Sequence, residues 1–154
     1  MDLDLRDLYQ EVILDHGKNP RNFGCLDDAT CEADGNNPLC GDKLKVFVRV
    51  GVEENIEKAS FKGRGCAISV ASASMMTDIV VGKKVEQVNS LFNLFHKLCK
   101  GEEIEEIPIE FEGDMDKLTV LSGVKQFPMR VKCATLAWHA ISAAVNGENK
   151  ISTE

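Results

Sequence analysis

Residues 43–62 read KLKVFVRVGVEENIEKASFK, and this stretch decides the fold. Leu44, Val46, Val48 and Val50 alternate with Lys43, Lys45, Phe47 and Arg49, the period-two pattern of a strand with one face in a core. Gly51-Val-Glu-Glu-Asn55 is a turn signal, after which Ile56, Lys58, Ser60 and Lys62 alternate with Glu57, Ala59 and Phe61. Two strands joined so closely pair antiparallel, which predicts a hairpin. Cys40 lies just before the first strand and Cys66 just after the second, so the pairing sets both thiols at one end of the sheet.

Toward the N-terminus, Leu3, Leu5, Leu8, Tyr9, Val12 and Ile13 recur at helical spacing, predicting an amphipathic helix that docks on the core and stops near His16-Gly17. A Pro- and Gly-containing loop follows, then a polar stretch from Cys31 to Pro38 with room for one short edge strand. Toward the C-terminus, small and apolar residues from Cys66 to Val81 predict a closely packed helix broken at Gly82. Val85, Val88, Leu91, Phe92, Phe95 and Leu98 mark another. The acidic run from Gly101 to Gly113 reads as an exposed connection, followed by a short helix around Met115 to Leu121. The last helix starts at Pro128, a residue favoured at a first helical position, and ends at Gly147. This order of elements predicts an α+β fold, and 154 residues predict a single domain spanning 1–154.

Charge and composition narrow the function. A net charge of −7 with no basic run argues against nucleic acid and anionic membranes as partners. The opening MDLDLRDLYQ lacks a secretory signal, and no apolar run reaches the ~20 residues of a membrane span, so a cytoplasmic location is expected. In a reducing compartment the six cysteines are metal ligands or reactive thiols sooner than disulfides.

Asp42 is two residues from Cys40, with Gly41 giving backbone freedom between them, so one carboxylate can join the two thiols. Cys66 opens a helix, where the dipole favours thiolate, the form that binds metals. A tetrahedral zinc site takes four ligands, and Cys133, in the opening turns of the last helix, is the natural fourth. Against this stands the reading of each cysteine as a small core hydrophobe, which spacing alone leaves open. Cys25 and Cys31 read as incidental thiols and Cys99 as structural. His16 reads as a helix cap, and His96, His139 and the Met75-Met76 pair as packing residues.

The segments Tyr9-Gln-Glu-Val-Ile-Leu-Asp-His16, Asn19-Pro-Arg-Asn-Phe-Gly24, Asn37-Pro-Leu-Cys-Gly-Asp42, Gly63-Arg-Gly-Cys-Ala-Ile-Ser69 and Arg130-Val-Lys-Cys-Ala-Thr-Leu-Ala-Trp138 resemble, in order, the IscU/SufU (NifU N-terminal-like) family of iron–sulfur cluster assembly proteins. The likeness runs from residue 3 to about 146. It implies an α+β fold with a three-stranded antiparallel sheet against about five helices, and one metal or cluster site formed by Cys40, Asp42, Cys66 and Cys133. Where the IscU branch has a histidine before the third cysteine, this chain has Lys132, and the IscU chaperone-recognition segment L-P-P-V-K is replaced by Leu121-Ser-Gly-Val-Lys125. Both departures, with the acidic segment around Glu102 to Leu118, resemble the SufU branch. That resemblance implies zinc as cofactor, a SufS-type cysteine desulfurase and downstream assembly proteins as partners, and Cys40 as the thiolate that accepts persulfide sulfur once freed from zinc. Arg130 and Lys132 place positive charge beside the site, in a secondary role. Two other readings compete: a scaffold for a transient iron–sulfur cluster or iron on the same residues, and a structural zinc domain that only mediates protein contacts.

Overall fold

The computed structural model describes residues 2–152, and side chains from residue 10 onward. In chain order its main elements are α1 (Asp2–Lys18), β1 (Cys31–Asn37), β2 (Asp42–Val50), β3 (Ile56–Arg64), α2 (Ala67–Val80), α3 (Val85–Lys100), α4 (Glu112–Leu118), α5 (Pro128–Val145) and β4 (Lys150–Ser152). A run of 3-10 turns, Thr119–Gln126, leads from α4 to α5. No described helix is long and apolar enough to cross a membrane.

The hairpin of residues 43–62 is present as β2 and β3, with Val46 opposite Phe61 and Val48 opposite Ala59. Val46, Val48 and Phe61 are fully buried, as a strand with one face in a core requires. An irregularity at Arg49/Val50 shifts the register so that Val50 pairs with Ile56, skipping Glu57. Simple alternation put Ile56 opposite Phe61; the shift returns it to the core, 1% exposed. On the other face Phe47 is also buried, with Lys45 and Lys62 ammonium groups 5.9 and 5.8 Å from its ring centre.

The sheet has four strands in the order β3-β2-β1-β4, one more than the resemblance implies. The polar stretch expected at an edge is β1, inside the sheet, antiparallel to β2 and parallel to β4. After α5 the chain turns back, Asp34 N–H donates to Asn149 O at 2.9 Å, and Ile151 packs on the core. Three residues are too few to show a period, so this strand was not legible in the sequence.

The helices cover one side. α5 lies over β1 and β2, and α2 packs on β3 and α5. At Gly35 in β1, an added Cβ would come within 3.2 Å of Leu136 and 3.3 Å of Ala140, so the absence of a side chain lets α5 settle close to the sheet. Cys133, Leu136 and Ala140 recur at helical spacing on the sheet-facing stripe of α5. Cys133 is therefore one turn from that close approach, toward the end of β1. Cys99 is fully buried in α3 as expected, and burial pushes its thiol up to about 12. Met75 and Met76 fill the core. His16 does more than close α1: its Nδ1 lies 2.7 Å from Ser74 Oγ, tying α1 to α2. Ile13 packs against the core, while the expected stripe residues Leu3, Leu5, Leu8 and Tyr9 lie outside the described side chains.

Candidate metal centre

β1 ends at Asn37 and β2 begins at Asp42, directly opposite each other in the ladder. The turn between them carries Cys40, whose N–H donates to Asn37 O at 3.3 Å. β3 returns to the same end, where Lys43 pairs with Arg64, and the chain passes through Gly65 to Cys66, the N-cap residue of α2. The β1–β2 turn, the open end of the β2–β3 hairpin and the start of α2 therefore meet at one end of the sheet.

There the donor atoms of Cys40, Asp42 and Cys133 all lie within 4.8 Å of one another. Asp42 and Cys133 are fully buried, while Cys40 is partly exposed. The Asp42 carboxylate is held on both oxygens: Oδ1 accepts the Cys66 backbone N–H at 2.9 Å and Oδ2 accepts Asn37 Nδ2 at 3.4 Å. A Cβ at Gly65 would come within 2.7 Å of Asp42 Oδ1 and 2.3 Å of Ser69 Oγ, so the carboxylate occupies space that only glycine leaves free. Burial, and then the neighbouring Cys40, Asp42 and Cys66 groups, hold the Cys133 thiol far above the usual range. Cys66 falls outside the 4.8 Å set, yet its backbone holds Asp42 and its thiol still bears on Cys133. Two thiols and a carboxylate at this separation match the S and O donors that zinc accepts. Their mutual repulsion when ionised is what a divalent cation would relieve.

Cys40 and Cys66 line a cavity of about 630 Å³ together with Phe127, Met129 and Arg130. Lys132 does not share it: it lines a separate cleft with His96 and His139. The two basic residues that the sequence placed beside the site are thus divided, as expected of residues two apart on a helix, which point to different faces. His96 and His139 pack in an aromatic cluster, their ring centres 5.4 Å apart and that of His139 4.8 Å from Phe92, in keeping with a packing role. Cys25 is exposed and Cys31 half-buried, both free thiols. Sequence reasoning missed Asn37, fully buried against Asp42 and Cys133, although it stands in the quoted Asn37-to-Asp42 motif. It also missed the exposed apolar residues here: Phe127 and Met129, which line the cavity and are 59% and 51% exposed, and Leu39, next to Cys40 in the chain and 59% exposed.

Comparison with known proteins gives a consistent picture. The model of the NifU-like N terminal domain matches residues 8–134. The chain is 42% identical over 141 residues to the zinc-dependent sulfurtransferase SufU of Bacillus subtilis (strain 168), covering 92% of this chain and 91% of that protein. It is 41% identical to the iron–sulfur cluster assembly scaffold protein IscU of Streptococcus pyogenes serotype M1, covering 92% of this chain and 84% of that protein. Among solved structures, a candidate iron–sulfur cluster assembly scaffold protein for the SUF system from Fervidobacterium islandicum AW-1 superposes with a TM-score of 0.79 at 28% identity, covering 88% of this chain and 94% of that one.

Proposed function

This chain belongs to the NifU-like N-terminal domain family, and from that premise we propose that it serves iron–sulfur cluster assembly as a zinc-dependent sulfur acceptor, with Cys40 taking sulfur from a SufS-type cysteine desulfurase. The observation that carries the reading is the convergence of Cys40, Asp42 and Cys133 within 4.8 Å of one another, with Cys40 lining a cavity. Zinc held by these three residues, with Cys66 as fourth ligand, would supply the positive charge that keeps buried thiols deprotonated near neutral pH.

Each residue then has a task in the transfer. Cys40, the exposed member of the convergent set and seated on a turn, is the group a partner can reach. Its thiolate attacks the terminal sulfur of the desulfurase persulfide; the new S–S bond forms on Cys40, the donor's S–S bond breaks, and the electron pair leaves on the donor's thiolate. No external oxidant or reductant enters. Cys133 and Asp42 stay buried and hold the site's floor, while Cys66 caps it from the start of α2. Arg130 lines the cavity, where its charge favours an incoming persulfide anion, and the exposed Leu39, Phe127 and Met129 offer apolar surface for the desulfurase to cover. Lys132 lines the separate cleft.

The test uses purified protein, a SufS-type desulfurase and radiolabelled cysteine. One zinc per chain is expected, with label transferred to Cys40 and none accepted by a folded Cys40→Ala variant. Sulfur acceptance by that variant at the wild-type level would refute the reading. The likeness to IscU favours a second reading, a scaffold carrying a transient cluster on the same residues. A labile, visibly absorbing cluster that passes to an apo-acceptor would favour it, and a colourless zinc protein would exclude it. Downstream assembly proteins are the recipients on either reading.

A further inference from the structure

Asn37 touches the site through its backbone carbonyl and its side-chain amide nitrogen. Its backbone carbonyl accepts the Cys40 N–H at 3.3 Å, and its side-chain Nδ2 points to both Asp42 Oδ2 at 3.4 Å and Cys133 Sγ at 3.6 Å. The side chain is fully buried, and its Oδ1 has no hydrogen-bond partner. A buried amide with an orphan oxygen costs free energy, so the contacts made by its other end must compensate. Those contacts join two groups of different hardness, a carboxylate and a sulfur, that lie 91 positions apart in the chain (133 − 42). Their remaining supports are unlike: Asp42 also has the Cys66 N–H, whereas Cys133 depends on its place in α5.

We propose that Asn37 is a positioning residue that clamps Asp42 and Cys133 together as the fixed half of the site, leaving Cys40 on its turn as the half that moves to accept sulfur. N–H donation to a carboxylate and a thiolate fixes their orientation and spreads their charge, as outer hydrogen bonds do around metal ligands generally. The main-chain bond to Cys40 anchors the base of the turn without holding the sulfur. The division of labour rests on the reading of Cys40 as acceptor; the clamp itself concerns only the resting geometry.

The experiment compares wild type with Asn37→Leu, which keeps the branched heavy-atom shape of the side chain and removes both N–H donors, and Asn37→Ser, which restores a hydroxyl donor. In chelator-treated protein, the alkylation rate of each cysteine by iodoacetamide is followed by mass spectrometry. In zinc-loaded protein, release to a colorimetric chelator is followed. Asn37→Leu is expected to raise Cys133 alkylation several-fold with Cys40 little changed, and to speed zinc release by about 10- to 100-fold, the range for lost outer hydrogen bonds. Asn37→Ser should recover part of both. Asn36→Ala, altering the neighbouring residue whose Oδ1 is also buried and unpaired, should change neither. Unchanged Cys133 alkylation in Asn37→Leu, or equal changes in Asn36→Ala, overturns the clamp. A wild-type protein that accepts no sulfur but still shows the Asn37→Leu alkylation change leaves the clamp standing and refutes the assigned function instead. Should Asn37→Leu lose its fold by circular dichroism, Asn37→Ser alone decides: Cys133 alkylation and zinc release raised above wild type with Cys40 little changed support the clamp, and rates at the wild-type level, or alkylation raised equally at Cys40, Cys66 and Cys133, overturn it.

Discussion

At the scale of single residues, Asp42 is the group whose surroundings say most. A fully buried carboxylate is costly unless both oxygens are satisfied, and here one is held by the Cys66 N–H and the other by Asn37. Asp42→Ala removes the acceptor from two buried donors, so metal-free protein should lose about 1–3 kcal/mol in urea unfolding. Asp42→Asn keeps an oxygen for the Cys66 N–H and should lose less. In zinc-loaded protein the same Asp42→Ala change should speed metal exchange, because it removes the oxygen ligand from an otherwise thiolate set. A wild-type unfolding midpoint in Asp42→Ala would show that the carboxylate has no structural part at this end of the sheet. Which residues meet here was largely legible: Cys40, Asp42 and Cys66 flank the hairpin, and the pairing forces them to one end. Asn37 was not, because an asparagine before a turn has many uses and only its burial against Asp42 and Cys133 distinguishes this one.

At the scale of elements, the Gly65 bend between β3 and α2 and the short strand β4 each invite a test. Gly65→Ala drives a Cβ against Asp42 Oδ1 and Ser69 Oγ, so it should cost about 1–3 kcal/mol and loosen zinc as Asp42→Ala does. Stability and zinc retention at wild-type levels would mean the neighbouring groups shift freely. β4 covers the outer edge of β1 through Asp34–Asn149 and the packing of Ile151. Ile151→Asp places a charge where that side chain meets the core, and hydrogen exchange at the Asp34 amide should accelerate while that of Val46, deep in β2, stays slow. Equal protection in wild type and variant would show that β4 adds nothing to the sheet. The helices and the hairpin were legible because their periods extend over many residues. The shift at Arg49/Val50 and the β4 pairing were not, since both are local departures that only the neighbouring strand selects.

At the scale of the whole molecule, all three histidines have proton affinities below the ordinary value, burial being the first cause in each. For His139, burial and then nearby His96 bring the value down to about 4 from 6.5. Between those two values the unfolded chain binds the proton and the folded chain does not, so stability rises with pH across that window. It is complete above about pH 6.5 and is lost as pH falls toward 4. The full shift corresponds to roughly 3–4 kcal/mol at 1.36 kcal/mol per unit, an upper bound that solvent screening of the partly exposed ring reduces. Denaturant midpoints of chelator-treated protein should therefore fall from pH 7.5 to pH 4.5, and less steeply for His139→Gln; an equal slope in the two proteins would remove His139 from the account. By itself the sequence determined the α+β order, the hairpin and the thiols at its open end, because strand period and antiparallel return are local properties of the chain. Only the tertiary structure decided that Cys133 reaches Asp42, that Arg130 faces one cavity while Lys132 faces another cleft, and that Asn37 lies between Asp42 and Cys133. Those facts depend on how closely α5 settles over Gly35 and on its rotation about its own axis, which side-chain packing across the whole core fixes and no stretch of sequence encodes alone.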